Sequence, residues 1–148
     1  MSIGKTIYSL ITLVALGGIA AAQQMTYTVK IVDGKTGKAL ANQHMSIDMV
    51  ASKSDTPKSF YDATTDKDGI ATISIDLQQD KWVWVYVDDF LTTCEKKGDP
   101  GLFSMEDILS RGVSTPNRCH HRFTLEKDIP GRFIVYTREM AFWEKMKA

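Results

Sequence analysis

The chain has 148 residues, which is enough for one domain that buries its own apolar core. Its 18 basic residues balance 18 acidic ones, and no block of like charge interrupts the sequence. This balance argues against nucleic acid as a partner, because a polyanion requires a basic face. It also argues against a polybasic tail that binds membranes.

The N-terminus predicts a secretory signal peptide over residues 1–22. Lys5 precedes an apolar run from Ile7 to Ile19, and small residues end the segment at Ala22. The run is shorter than the ~20 residues that span a bilayer, so we expect cleavage after Ala22, with an uncleaved anchor as the alternative. No cysteine follows that would make a lipoprotein. The mature chain, 23–148, is expected to be secreted or periplasmic, with no stable membrane span.

Alternating apolar residues predict four antiparallel strands in the first half of the mature chain. Asp33-Gly34 begins one tight turn and Asp66 to Gly69 forms another, because glycine supplies the positive φ that such turns need. We therefore assign both segments to turns rather than to phosphate or calcium sites. The predicted strands are Thr26–Val32, His44–Val50, Ser59–Thr64 and Ile70–Leu77.

The segment from Lys81 to Asp88 predicts the strongest strand. Trp82, Trp84 and Tyr86 share one face, and valines occupy the other. Because both faces are apolar, we expect a central strand that is covered on both sides, with the aromatic row in the core. The alternative is that the row forms a platform for sugar rings.

Glycine and proline interrupt the β pattern between Phe90 and Asn117, and this segment is predicted to be an insertion (90–117) with one short helix. Ser104 is a candidate cap, and Gly112 is placed to end the helix. Two further strands are predicted at His121–Glu126, with Phe123 and Leu125 inward, and at Phe133–Thr137. The apolar tail, 138–148, is too short for a stable isolated helix, so it should dock on its own domain or on a partner.

Two cysteines, Cys94 and Cys119, predict one disulfide in an exported chain. The bond would join the ends of the predicted insertion. A zinc site with His120 and His121 is the alternative, but neighbouring residues on a strand point to opposite faces. We predict no metal and no cofactor.

Two stretches, Val32–Ala41 and Thr64–Gly69, resemble carboxypeptidase regulatory-like domains, which belong with transthyretin-like and bacterial Ig-like sandwiches. The resemblance implies an all-β, antiparallel sandwich of about seven strands, with one short helix in an inserted loop. The second half is similar to small exported proteins of unknown function of acidobacterial type, through Ile108–Val113, Asn117–Cys119 and Phe142–Lys145. Neither resemblance implies a particular activity.

The sequence contains no serine in a nucleophile elbow, and we predict a non-enzymatic binding or interaction module. Its partner would be an unknown protein or envelope component. The candidate contact residues are Phe103, Ile108, Phe142 and Trp143. One alternative is a carbohydrate-binding module that uses the aromatic row. The other is a small transthyretin-like hydrolase, which would need His44 or His121 beside a carboxylate and a nucleophile.

Overall fold

The computed structural model describes residues 24–57, 59–76, 79–87, 90–95 and 101–146, and the predicted signal peptide lies outside them. Two facing sheets form a β-sandwich, which confirms the all-β prediction. No helix in these ranges is long and apolar enough to cross a membrane. The elements are β1 (Gln24–Asp33), β2 (His44–Val50), β3 (Ser59–Thr64), β4 (Ile70–Asp76), β5 (Trp82–Val87), β6 (Leu91–Thr93), β7 (Phe103–Ser104), α1 (Met105–Arg111), β8 (Val113–Ser114), β9 (Arg132–Glu139) and α2 (Phe142–Lys145).

The first sheet has the order β4-β1-β9-β6, and β8 also pairs with β9. The second sheet has the order β3-β2-β5-β7. Most neighbours are antiparallel, as predicted, but β9 runs parallel to both β1 and β8. A parallel pair joins segments that are distant in sequence, and local patterning carries no signal for it.

The main core lies between the sheets and contains the inward side chains of β1, β2, β4, β5 and β9, together with Met105 and Ile108 of α1. A second apolar cluster covers the outer face of the first sheet. It consists of Val32, Cys94, Cys119, Ile134 and Tyr136, with Phe123 packed against it. β9 is therefore covered on both faces over most of its length, and our prediction that Lys81–Asp88 would be covered on both faces is wrong.

The predicted strand at His121–Glu126 is also wrong, because this segment crosses the outer face of the first sheet without joining a ladder. Phe123 packs on the second cluster, but Leu125 is 40% exposed. The Glu126 N–H donates to the Tyr136 hydroxyl at 3.2 Å. The segment alternates apolar and polar residues as a strand does. Because it lies on the face of a sheet, its backbone hydrogen-bonds to a side chain there and not to a neighbouring strand.

The described parts of the predicted insertion, 90–95 and 101–117, contribute strands to both sheets of the sandwich. Its strands β6 and β8 pair with β9 in the first sheet, and β7 pairs with β5 in the second. The predicted helix is confirmed as α1. The Ser104 hydroxyl accepts the Asp107 N–H at 3.4 Å, and Gly112 is the C-cap.

Candidate binding face

The aromatic row of β5 points away from the main core. Val83 and Val85 fill the space between the sheets, whereas Tyr86 is 44% exposed and Trp82 and Trp84 are half-buried. Our prediction that this row would lie in the core is therefore wrong. Period-2 alternation defines two faces but does not reveal which one meets the second sheet.

Strand register places two more residues beside this row. Asp48 on β2 is directly opposite Phe60 on β3 and directly opposite Trp84 on β5. Phe60 is 68% exposed. Because side chains of directly opposite residues lie on the same sheet face, about 5 Å apart at Cβ, a carboxylate separates two aromatic rings across three strands.

A second row runs beside the first and has the order Asp62, Ser46 and Tyr86. The Ser46 hydroxyl donates to Asp62 Oδ1 at 3.0 Å. The Trp84 and Tyr86 rings connect the rows, with centroids 5.2 Å apart and planes tilted by 41°. We call these residues the aromatic face: Asp48, Asp62, Ser46, Phe60, Trp82, Trp84 and Tyr86.

Trp82 lies at one end of the aromatic face and is partly covered. The Lys53 ammonium lies 4.2 Å from the centroid of its ring, which is a cation–π distance. Trp82 is therefore less available to a ligand than Phe60, Trp84 and Tyr86 are.

The carboxylate of Asp48 has no side-chain hydrogen bond or ion pair within the described ranges. Burial raises its pKa above the usual value. Burial and, secondly, the charge of Asp48 raise the pKa of Tyr86. Because a raised carboxyl pKa favours the protonated form, the ionised Asp48 destabilises the fold at neutral pH. Because Asp48 has no side-chain partner in the described ranges, its carboxylate can accept hydrogen bonds from a ligand.

A cleft of about 510 Å³ adjoins the aromatic face at the edge between β5 and β6. Trp84 and Tyr86 contribute to its lining, and so do Arg138 and Glu144. Arg138 donates to both carboxylate oxygens of Glu144 at 2.8 and 2.9 Å, and the Ala141 N–H donates to the same carboxylate at 2.7 Å. These contacts hold α2 at the cleft.

The predicted contact residues separate into two groups. Phe142 and Trp143 on α2 are 77% and 67% exposed, so the tail is held by polar contacts while its rings face outward. Ile108 is fully buried, and the Phe103 ring packs 4.8 Å from that of Phe133. The expectation that Ile108 lies on a contact surface is therefore wrong, because α1 contributes it to the core. Phe103 is partly buried and also lines the cleft, so its role in contacts stays a prediction.

The two cysteines form the predicted disulfide, with the sulfurs 2.05 Å apart and both residues buried. Gly34 packs directly against it, since a Cβ built on Gly34 would lie 2.3 Å from Cys94 Sγ. The prediction gave Gly34 the positive φ of this turn, but Gly37 has it, with φ 75°. Glycine is required at position 34 because the disulfide lies where a Cβ would be.

The outer face of β2 presents His44, Ser46 and Asp48, which are the residue types of a hydrolase triad. A triad requires the serine hydroxyl to donate to the imidazole, whereas Ser46 donates to Asp62. His121 bonds through Nδ1 to the Phe123 carbonyl at 2.9 Å. Within the described ranges, no three His, Cys, Asp or Glu residues are grouped closely enough to hold a metal ion.

Sequence reasoning missed Asp48, Asp62 and Phe60 as members of this site. Their signal was weak, because it appears only once β3, β2 and β5 are aligned residue by residue. No protein-family model, curated protein or solved structure matches the chain. The resemblance to carboxypeptidase regulatory-like domains stays a prediction, and function has to be inferred from the aromatic face itself.

Proposed function

We propose that this chain is an exported, non-enzymatic binding module and that the aromatic face is its binding surface. The observation that carries the proposal is the outward orientation of Trp84 and Tyr86 on a strand whose valines fill the core. Phe60 extends the same face by two strands. An exposed group of aromatic side chains with polar residues among them typically marks a ligand or partner site.

The support for these residues favours binding without large rearrangement. β2 is hydrogen-bonded on both sides, to β3 and to β5, and its inner face packs in the main core. The ladder fixes the spacing of the backbone that bears these side chains, so little backbone entropy is lost when a ligand binds. Export is supported by the signal-like N-terminus and by the disulfide.

The test compares variants of the full chain at two surfaces. Each variant is produced in the native host cell, and the amount that stays bound to the washed cell envelope is measured. Replacing Trp84 and Tyr86 together by alanine is expected to weaken binding to the envelope at least about 30-fold, as truncation of an aromatic hot spot does. The control variant replaces the exposed tail residues Phe142 and Trp143 by serine. It is expected to stay bound.

Secretion level and electrophoretic mobility without reductant report whether each variant folds and oxidises. Unchanged envelope binding of the Trp84→Ala/Tyr86→Ala protein would overturn the proposal. Release of the tail variant alone would move the binding surface to α2, where Phe142 and Trp143 are exposed.

A further inference from the structure

We infer that the ligand of the aromatic face is a neutral polysaccharide chain that lies across β3, β2 and β5, with Asp48 and Asp62 accepting its hydroxyl hydrogen bonds. This inference rests on the proposed function and names the ligand class of the same site. It adds Phe60, Asp48 and Asp62 to the residues that bind.

The order of groups across the strands matches the surface of a pyranose chain. Phe60 and Trp84 are separated by two strand spacings, roughly 10 Å, with Asp48 between them. A pyranose ring with equatorial substituents has flat faces of C–H bonds and an edge of hydroxyl groups. In successive sugars of a chain, these faces can stack on the aromatic rings while the hydroxyl groups along the edge donate hydrogen bonds to the carboxylates.

The polar chemistry of the face requires a ligand that donates hydrogen bonds. An ionised carboxylate only accepts, and O–H donors form short, strong bonds with it. Asp48 has no such partner in the described part of the chain, and burial raises its pKa. Asp62 accepts from Ser46 at one oxygen, which leaves further lone pairs on an exposed carboxylate. The two negative charges disfavour an anionic ligand.

The shape of the face distinguishes a polysaccharide from other ligands. A small organic cation is normally enclosed by several rings, whereas these rings lie on an open sheet surface with Phe60 68% exposed. A peptide that adds a strand needs the hydrogen-bonding edge of a sheet, and the aromatic face is a side-chain surface. An extended chain with repeated apolar faces suits an open row.

Binding is tested with the purified mature protein and three insoluble probes: microcrystalline cellulose, chitin and xylan. The wild type is expected to be depleted from solution by at least one of them. Trp84→Ala should weaken that binding about 30-fold. Trp143→Ala is the matched control, because it removes an equally large and more exposed ring outside the aromatic face, and its binding should equal that of the wild type.

Asp48→Asn tests the acceptor role by an isosteric change. We expect binding to weaken about 10-fold, because a bond to a charged acceptor is replaced by a weaker neutral one. The melting temperature at pH 7 should stay the same or rise, since the ionised carboxylate is disfavoured by burial. The wild type should gain stability as pH falls through the pKa of Asp48, and the variant should lack that gain. A purely structural Asp48 would give a lower melting temperature.

Phe60→Ala is a second test of the aromatic face in case Trp84→Ala misfolds. Phe60 is the most exposed ring of this face, so its removal disturbs packing least. This variant should fold normally and weaken binding about 10-fold. If none of the probes depletes the protein but envelope binding still depends on Trp84 and Tyr86, the inference of a polysaccharide ligand is overturned and the proposed function stands. Concentration-dependent self-association that Trp84→Ala abolishes would assign the face to a second copy and overturn the inference.

Discussion

Replacing Gly112 by alanine is expected to lower the free energy of unfolding by about 4 kcal/mol or more, which is at the extreme of single substitutions. Gly112 ends α1 with φ 78° and ψ 159°, a backbone region that is essentially limited to glycine. A Cβ there would lie 2.3 Å from the carbonyl oxygen and 2.5 Å from the nitrogen of Ile129. These are backbone atoms, so no side-chain rotation relieves the overlap.

The neighbouring hydrogen bonds explain why the backbone of Ile129 cannot move aside. The Gly112 N–H and the Gly131 N–H both donate to the Ile108 carbonyl, at 3.1 and 2.8 Å. They fix the chain that enters β9 against the end of α1. Displacing Ile129 would break this contact and disturb the fully buried Ile108.

Gly131→Ala is the matched control for Gly112→Ala. Gly131 has a nearly identical φ of 76°, but a Cβ there would meet nothing within 4 Å. It should therefore lower stability only by the left-handed penalty, about 1–2 kcal/mol. Urea unfolding followed by tryptophan fluorescence measures both variants. Equal losses at Gly112 and Gly131 would show that close approach to Ile129 contributes nothing.

The parts of the fold that local chemistry determines were predictable from the sequence. The bounds of β2 and β3 agree with the prediction residue for residue, because alternation and turn residues act within a few positions. The turn at Asp66 is similar, since its carboxylate accepts the N–H groups of Asp68 and Ile70, both at 2.9 Å. α1 was predictable because both of its caps are encoded by single residues.

The parts that depend on sheet packing were not predictable. β9 is buried on both faces because a disulfide-bearing segment covers its outer side. The continuous apolar run from Phe133 to Tyr136 is compatible with cover on both faces, but it does not reveal which segment supplies that cover. For β5, the same uncertainty led to the wrong face. Valines and aromatic residues are both apolar, and only the position of the opposite sheet shows that Trp84 faces outward.

The composition of the site depends on the same kind of non-local information. Trp84 and Tyr86 were candidates from the sequence as an aromatic row. The sequence pattern places Asp48 and Phe60 only on two predicted strands, His44–Val50 and Ser59–Thr64. Register joins Phe60, Asp48 and Trp84 in one line, and this line is what turns an aromatic row into a site with a hydrogen-bond acceptor.

Removing the disulfide by Cys94→Ala and Cys119→Ala together is expected to lower the free energy of unfolding by about 3 kcal/mol. The bond joins positions 25 residues apart and restricts the unfolded chain accordingly. It is also buried against Val32 and Tyr136 in the second cluster, so truncation removes packing as well. Chemical unfolding of the oxidised wild type and the double variant measures the loss.

A double-mutant cycle with Gly34→Ala separates packing against the disulfide from loop closure. In the wild type, Gly34→Ala should cost about 1–3 kcal/mol, because its Cβ would overlap Cys94 Sγ. In the variant without cysteines that sulfur is gone, and Gly34→Ala should cost less. Part of the cost should persist, because Asn117 Oδ1 lies 2.9 Å from the same Cβ and hydrogen bonds to Gly34 and Cys119 hold its side chain in place. Strict additivity of the two changes would show that Gly34 is small for a reason other than the disulfide.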